Sequence, residues 1–357
     1  MTPAAPGHHA PLVSIVVCNF NYARYLPRSV GSALAQSHPR VEVVVVDDGS
    51  TDGSADLLRG YGDRIRCVFK ANGGQASAVN AGFAACSGDL VLFLDADDYL
   101  APDACARVAA AWAPGVAKVE FGLEVVSGDE RPLGLRLPPV AADGPGARDL
   151  LLRFGYNASP PCSGNVYARA VLRRILPLPE PEWRSHTDSA LYDLALFHGA
   201  VVHLPELLGC YRIHGRNTSD SGEVSVAKLR RDNAVDDRRE QAIRRIAAER
   251  GLRVGRDLFL RNPGYCKKRL LSWRLDPAGH PHPADRTMRL AIAGAKAALR
   301  FPGNGIGKRL VSAVGFLAIG IAPRRLLQLH LGRLLNPIQR RGRPQRSSTR
   351  LGVADCR

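Results

Sequence analysis

Gly88–Asp103 reads GDLVLFLDADDYLAPD. Five apolar residues, Leu90 to Leu94, run straight into Asp95, Asp97 and Asp98. A short, continuous apolar run is what a strand buried on both faces requires. Like charges this close repel, and each loses water in a concave setting. The cluster therefore needs either open solvent or a strongly positive partner. Which of the two holds depends on what else ends nearby.

Three earlier runs have the same character: Leu12–Cys18, Val41–Val46 and Ile65–Phe69. Helical stretches near Tyr25–Gln36, Ser54–Tyr61 and Gln75–Cys86 separate them, and a short helix is expected from Pro102 to Trp112. Strand and helix in alternation predict an α/β fold with a doubly wound, mostly parallel sheet. Residues 127–165 are rich in Gly and Pro and read as loops over the site. A helix is expected from Ser189 to Gly199, then a strand-like AVVHLPELLGCYRIH, then a long polar helix from Ser225 to Arg250.

In an open parallel sheet the ligand lies beyond the carboxyl ends of the strands. Here the first strand ends in CNFN (Cys18–Asn21), the second in DDGSTD (Asp47–Asp52) and the fourth in DADD (Asp95–Asp98). Three strand ends thus bring one aromatic ring and two carboxylate clusters to one crevice, which favours a bound cation over a solvated turn. Hard divalent cations take oxygen ligands, and Mg²⁺ or Mn²⁺ uses one or two carboxylates and completes its shell with water and phosphate oxygens. The chain contains no G-x-x-x-x-G-K-[ST], so the phosphate site is not a P-loop. Asn72–Gly82, NGGQASAVNAG, is Gly-rich and opens a helix, so it can present backbone N–H groups.

Charge divides the chain. Residues 1–227 carry 19 Lys+Arg against 24 Asp+Glu, and residues 228–357 carry 30 against 9. A basic half raises the possibility of nucleic-acid binding, but its aromatics are sparse and it matches no nucleic-acid motif, so no nucleic-acid partner is expected. The eight cysteines form no C-x-x-C pair and read as free thiols of a reducing compartment. The first residues, MTPAAPGHHAPLV, lack a signal-peptide pattern. Leu310–Ala322 is apolar but too short to cross a bilayer as a helix. Lys308, Arg309, Arg324 and Arg325 bracket it, as expected of a segment lying on an anionic membrane surface. The domain reading is a disordered tail 1–11, a catalytic domain 12–220, a helical basic region 221–339 and a disordered tail 340–357.

VSIVVCNFNYARYL, VVVVDDGSTDGS, NGGQASAVNAGF and LVLFLDADDYLAPD stand in the order and spacing of family 2 glycosyltransferases, which the chain resembles from about Leu12 to Ser219. The resemblance continues in SHTDSALYDLALFHGAVVHLPELLGCYRIHGRNTS. It implies a GT-A fold and inverting transfer of a sugar from a nucleotide-diphosphate donor, UDP being the family's commonest nucleotide. The acceptor hydroxyl would belong to a carbohydrate or lipid-linked acceptor of envelope or extracellular polysaccharide synthesis, made by an enzyme on the cytoplasmic face of the cell membrane. Residue by residue, it implies that Phe20 lies against the base and Asp48 bonds its imide edge. Asn21, Asp47, Gly74, Gln75, Asn80 and Ala96 would complete the donor contacts. Asp95 and Asp97 would form the D-x-D, with Asp97 the direct metal ligand, His214 a further ligand and Asp188 the catalytic base. Two positions depart from the family's habit: Thr187 precedes Asp188 where Glu is frequent, and Phe20 replaces a frequent Tyr. Neither departure removes a group needed for chemistry. A catalytically inactive, membrane-associated relative would lack the intact acidic set. A sugar nucleotidyltransferase would need a Gly-rich loop with Arg and Lys after the first strand, which CNFNYARYL does not provide.

Overall fold

The computed structural model describes residues 10–138, 146–215, 217, 225–302 and 305–335. The expected disordered tails lie outside the described residues, apart from residues 10 and 11. The strands are β1 (Val13–Asn19), β2 (Val41–Asp47), β3 (Arg66–Phe69), β4 (Leu90–Asp95), β5 (Tyr99–Leu100), β6 (Val116–Ser127), β7 (Pro132–Leu137), β8 (Asn165–Ala168) and β9 (Ala200–Ile213). In the first two hundred residues the helices are α1 (Leu26–Leu34), α2 (Ser54–Arg59), α3 (Gln75–Ala85), α4 (Ala104–Ala111), α5 (Gly146–Phe154), α6 (Arg169–Ile175) and α7 (Thr187–Ala195). After β9 come α8 (Val226–Glu249), α9 (Pro263–Leu275), α10 (Thr287–Arg300), α11 (Ile306–Ile321), α12 (Arg324–Leu329) and α13 (Leu331–Leu335).

The chain folds as two compact units. The first is residues 1–147 and 158–213; the second is residues 148–157 and 214–357. The sequence reading put one break at residue 220. The structure moves it to residue 213 and assigns most of α5 to the second unit.

The first unit is built on one sheet in the order β3-β2-β1-β4-β8-β6-β9-β5, with β7 pairing β6. From β3 to β4 all pairs are parallel, as the alternating pattern requires. Val13, Ile15, Val17, Leu90, Leu92 and Leu94 are fully or almost fully buried and belong to one core. Branched side chains suit this two-sided burial. Beyond β4 the sheet turns mixed. β8 runs antiparallel to β4 and to β6, whereas β9 runs parallel to β6. The expected loop region 127–165 is thus partly regular, holding β7 and α5. Leu133, Leu135 and Leu137 alternate there as in an edge strand, but Pro132 and Gly134 among them read as turn residues.

The second unit is helical. Asn262 caps α9, its side-chain oxygen accepting the N–H groups of Gly264 and Tyr265, with Pro263 in the first turn. Leu270, Leu271, Leu290, Ala297, Phe316 and Ile319 form its core. A Cβ on Gly294 would stand 2.2 Å from the Phe316 ring, so α10 and α11 approach closely only because that residue is Gly. No helix among the described residues is long and apolar enough to cross a membrane. The seven described cysteines are free thiols.

Candidate functional site

The strand register aligns the decisive residues. Asn19 at the end of β1 stands opposite Asp47 of β2, and Cys18 stands opposite Asp95 of β4. The carboxyl ends of three parallel strands therefore open on one crevice.

The acidic turn after β4 is held from several sides. Asp98 is buried, accepting hydrogen bonds from Ser163 Oγ at 2.6 Å and from the Arg212 amide at 2.9 Å. Arg212, itself buried, donates from Nε to the Asp97 carbonyl at 2.7 Å and pairs with Glu130 at 3.1 Å. Its guanidinium lies over the rings of Tyr25 and Tyr99. Asp98 and Arg212 thus set the turn's shape, and the Asp95 and Asp97 carboxylates are presented by it.

Electrostatics place Asp188 with them. Burial first, then the charges of Asp97 and Asp188, pushes the Asp95 carboxyl well above the usual carboxylate range. Burial, followed by Asp97 and Asp95, does the same to Asp98 against the pull of its two hydrogen bonds. The Cys18 thiol is raised by burial and then by Asp95 and Asp48. Crowded, oxygen-only and mutually repelling, this donor set fits a hard divalent cation. Among the described residues no three His, Cys, Asp or Glu side chains form a ready cage. An ion held by one or two carboxylates and a diphosphate needs none.

Asp188 stands in the first turn of α7, where the helix dipole favours negative charge. It is not the N-cap: that position belongs to His186, at φ 61°. The Asp188 carboxylate accepts the Ser189 N–H at 2.8 Å and is half-buried.

The nucleotide candidates divide into presenters and builders. Phe20 is 44% exposed at the end of β1, so its ring face is free to stack. Gln75 Oε1 is buried and has no partner among the described residues; so is Asn19 Oδ1, a residue the sequence reading passed over. An unsatisfied buried acceptor costs about 1–3 kcal/mol, and a ligand hydroxyl or N–H would relieve it. Asp47 is a builder. It accepts Asn19 Nδ2 at 2.7 Å, Ser50 Oγ at 2.6 Å and the Ser50 N–H at 3.2 Å. Asn21, at φ 60°, donates its N–H to Ser50 Oγ and accepts the Thr51 N–H.

Asp48 is more heavily engaged than the sequence suggests. Lys70 Nζ at 2.7 Å and the Gly73 N–H at 3.0 Å bond one carboxylate oxygen, and the Gly74 N–H at 2.7 Å bonds the other. Its visible work is to shape the Gly73–Gly74 loop, with acceptor capacity left on the second oxygen. Gly74 has φ 88°, and a Cβ there would stand 2.5 Å from Arg184. Arg184 closes that loop from outside, donating to Asn72 Oδ1 and the Gly73 carbonyl. Asn80 has a structural role that the sequence does not announce. Its amide accepts the Leu178 N–H at 3.0 Å and donates to the Leu178 carbonyl at 2.9 Å, so it pins the fold at this point. Ala96 is buried between the two carboxylates of the D-x-D. His214 is half-buried in the second unit, its N–H donated to Asn217 Oδ1.

Sequence reasoning missed Lys70, Arg184, Arg212 and Lys118. The readable signal for Arg212 was a charge inside the apolar LLGCYRI, which a buried strand tolerates only when paired. Lys118 carries the same signal in VAKVEF. It is fully buried against Glu120 at 2.7 Å, with hydrogen bonds to Ser159 and Asn165.

The model of Glycosyl transferase family 2 matches residues 14–175. An uncharacterized glycosyltransferase of Nostoc sp. is 38% identical over 226 residues, 60% of this chain and 69% of that protein. The chondroitin synthase of Pasteurella multocida is 44% identical over 100 residues, but these make up 27% of this chain and only 10% of the synthase. Among solved structures, TarS of S. aureus aligns over 96% of this chain and 57% of its own, at 18% identity and a TM-score of 0.48. A mannosyltransferase of Pyrobaculum calidifontis, solved with GDP-Man and Mn²⁺, aligns over 92% and 85%, at 18% identity and a TM-score of 0.46.

Proposed function

The chain belongs to Glycosyl transferase family 2, and from that premise we propose that it transfers a sugar, with inversion, from a nucleotide-diphosphate donor to an acceptor hydroxyl. The observation that carries the reading is the meeting of Asp95, Asp97 and Asp188 in one crevice, where burial and their mutual charge raise the Asp95 carboxyl far above its ordinary range. Such a cluster is stable in the charged state only with a cation present.

Asp97, with Asp95 beside it, would hold Mg²⁺ or Mn²⁺; His214 belongs to this reading on the chemistry of its ring alone. An ion held there would supply positive charge against the leaving diphosphate, worth several kcal/mol at the transition state. Phe20 stacks on the base, and the second oxygen of Asp48 accepts from its imide edge. The buried acceptors of Asn19 and Gln75 face the remaining polar groups of the donor. Asp188 takes the proton of the acceptor hydroxyl while its oxygen attacks C1 opposite the leaving group, a contribution of about 10²–10⁴-fold. UDP is the nucleotide we assign. The acceptor we assign is a carbohydrate or lipid-linked glycan of polysaccharide synthesis, a reading the chondroitin synthase match supports over its 100 residues.

The place of action is the cytoplasmic membrane face. On α11 the exposed residues include Ile306, Leu310, Val311, Val314, Leu317 and Ile321, an apolar face without cover among the described residues. Lys308, Arg309, Arg324 and Arg325 flank it and suit anionic headgroups.

The test is a thermal-shift and calorimetric screen of nucleotide sugars on the full chain, with Mn²⁺, with Mg²⁺ and with chelator. A UDP-sugar should stabilise the protein only with the ion and should release UDP on transfer. Release of diphosphate, or binding indifferent to the ion, would overturn the reading.

A further inference from the structure

Besides Arg269 of α9, six cations from three segments line one cavity within the second unit. Its volume is about 900 Å³. Arg153 comes from α5, Arg256 and Arg261 from the connection between α8 and α9, and Arg289, Lys296 and Arg300 from α10. The α10 spacing sets its three cations along one edge of the helix. Leu260, Leu290 and Ala297 supply an apolar part of the lining.

Three carboxylates also line the cavity, and two are already engaged. Asp285 is gripped by Arg269 through both oxygens, at 2.5 and 2.8 Å, and by His280 at 2.9 Å. Glu240 is taken by Arg244. Asp257 is the third, set against the six remaining cations of the lining. Arg256, Arg289, Lys296 and Arg300 have no side-chain hydrogen bond or ion pair among the described residues. Unpaired cations converging on one concavity raise its potential and favour an anion. The excess is too large for one carboxylate to balance. A phosphate, carrying close to two charges and three acceptor oxygens, matches it better, and guanidinium forks bind phosphate in pairs of hydrogen bonds.

We propose that this cavity is a binding site for a phosphate-bearing ligand, its oxygens on Arg289, Lys296 and Arg300 and its apolar part against Leu260, Leu290 and Ala297. The inference is independent of the transfer reaction. The phosphate is that of a lipid headgroup or of a soluble compound.

The experiment is calorimetric titration of the full chain with inorganic pyrophosphate, in EDTA and at low salt, so that the metal-dependent crevice of the first unit takes no part. One site per chain is expected. The triple variant Arg289→Gln, Lys296→Gln, Arg300→Gln should bind at least tenfold more weakly. A control with the same loss of charge outside the cavity, Arg245→Gln, Lys308→Gln, Arg325→Gln, should stay within twofold. Arg300→Gln alone, losing threefold or more, carries the test if the triple variant melts early. No binding by the wild type, or equal weakening in cavity and control variants, overturns the proposal. A short-chain phosphatidic acid below its micellar concentration separates the sources. A lipid site binds it at least tenfold more tightly than pyrophosphate; a site for a soluble phosphate does not.

Discussion

The two units treat charge in opposite ways. The first pairs some of its buried charges, Asp48 with Lys70 and Glu120 with Lys118, but after β4 it buries Asp97 and Asp98 beside Asp95, like charge against like charge. The second buries few, and pairs them: Asp236 with Arg239 and Lys268, Asp285 with Arg269 and His280. A buried charge with a partner is a structural element, complete in itself. A buried charge beside a like charge is incomplete until something arrives. The contrast separates architecture from site without reference to any relative.

The comparison breaks first at Asp97. If its carboxylate is held for an ion, Asp97→Ala should abolish metal-dependent donor binding and lower transfer by at least ~10³-fold, since several kcal/mol at the transition state correspond to that factor. The fold should persist, because Asp98 and Arg212 hold the turn. Unchanged affinity for a UDP-sugar with Mn²⁺ would show that Asp97 belongs to the architecture after all.

The mirror experiment is Asp285→Ala in the second unit. It removes the carboxylate that Arg269 and His280 share, and breaking a buried pair costs about 3–5 kcal/mol. Chemical denaturation should show that loss, with donor binding by the folded fraction intact. Burial alone would raise the Asp285 carboxyl, but hydrogen bonds from His280 and Arg269 outweigh it and hold it far below the ordinary range. Its folded-state pKa is thus depressed. Its stabilisation is present above the unfolded value, about 4, and fades as acid carries the pH below that. Wild type and variant should therefore converge in stability at low pH.

Asp188→Asn comes next in size. Asn keeps the shape and the first-turn hydrogen bond but cannot take a proton, so transfer should fall by about 10²-fold or more while donor affinity stays near wild type. The structure removes a competing explanation, since His186 and not Asp188 occupies the cap. Near-normal turnover would take Asp188 out of the mechanism.

What the sequence disclosed follows the same division. The parallel core was legible because VSIVVCN, VEVVVVD and LVLFLD bury both faces and leave no other reading. The acidic turn after β4 was legible because Asp95, Asp97 and Asp98 stand at a strand end, where sequence position and spatial position coincide, whereas Asp188 lies in α7 and was reached only through the family resemblance. The clamps were not. Lys70 reaches Asp48 across 22 positions, Arg184 reaches Asn72 across 112, and Arg212 meets Asp98 across 114. Nothing local announces such partners. Asn80 shows the same: it stands in a glycine-rich stretch, and its partner is the backbone of Leu178, 98 positions away.

The smallest expected effect divides a single helix. On α11, Phe316 is 5% exposed and packs on Gly294, whereas Val311 and Val314 are 74% and 66% exposed. Phe316→Ala should cost about 3–5 kcal/mol, as a core truncation does. Val311→Ser with Val314→Ser should leave folding stability within about 0.5 kcal/mol, as exposed substitutions do. The two valines nonetheless have a use if this face meets lipid: apolar area entering the interface stabilises binding by about 25 cal/mol per Å². Flotation with anionic liposomes should then show weaker attachment of the double serine variant than of wild type, and high salt should weaken both through Lys308, Arg324 and Arg325. A variant that floats as well as wild type would mean that the exposed valines make no membrane contact. The second unit would then hold its surface by charge alone.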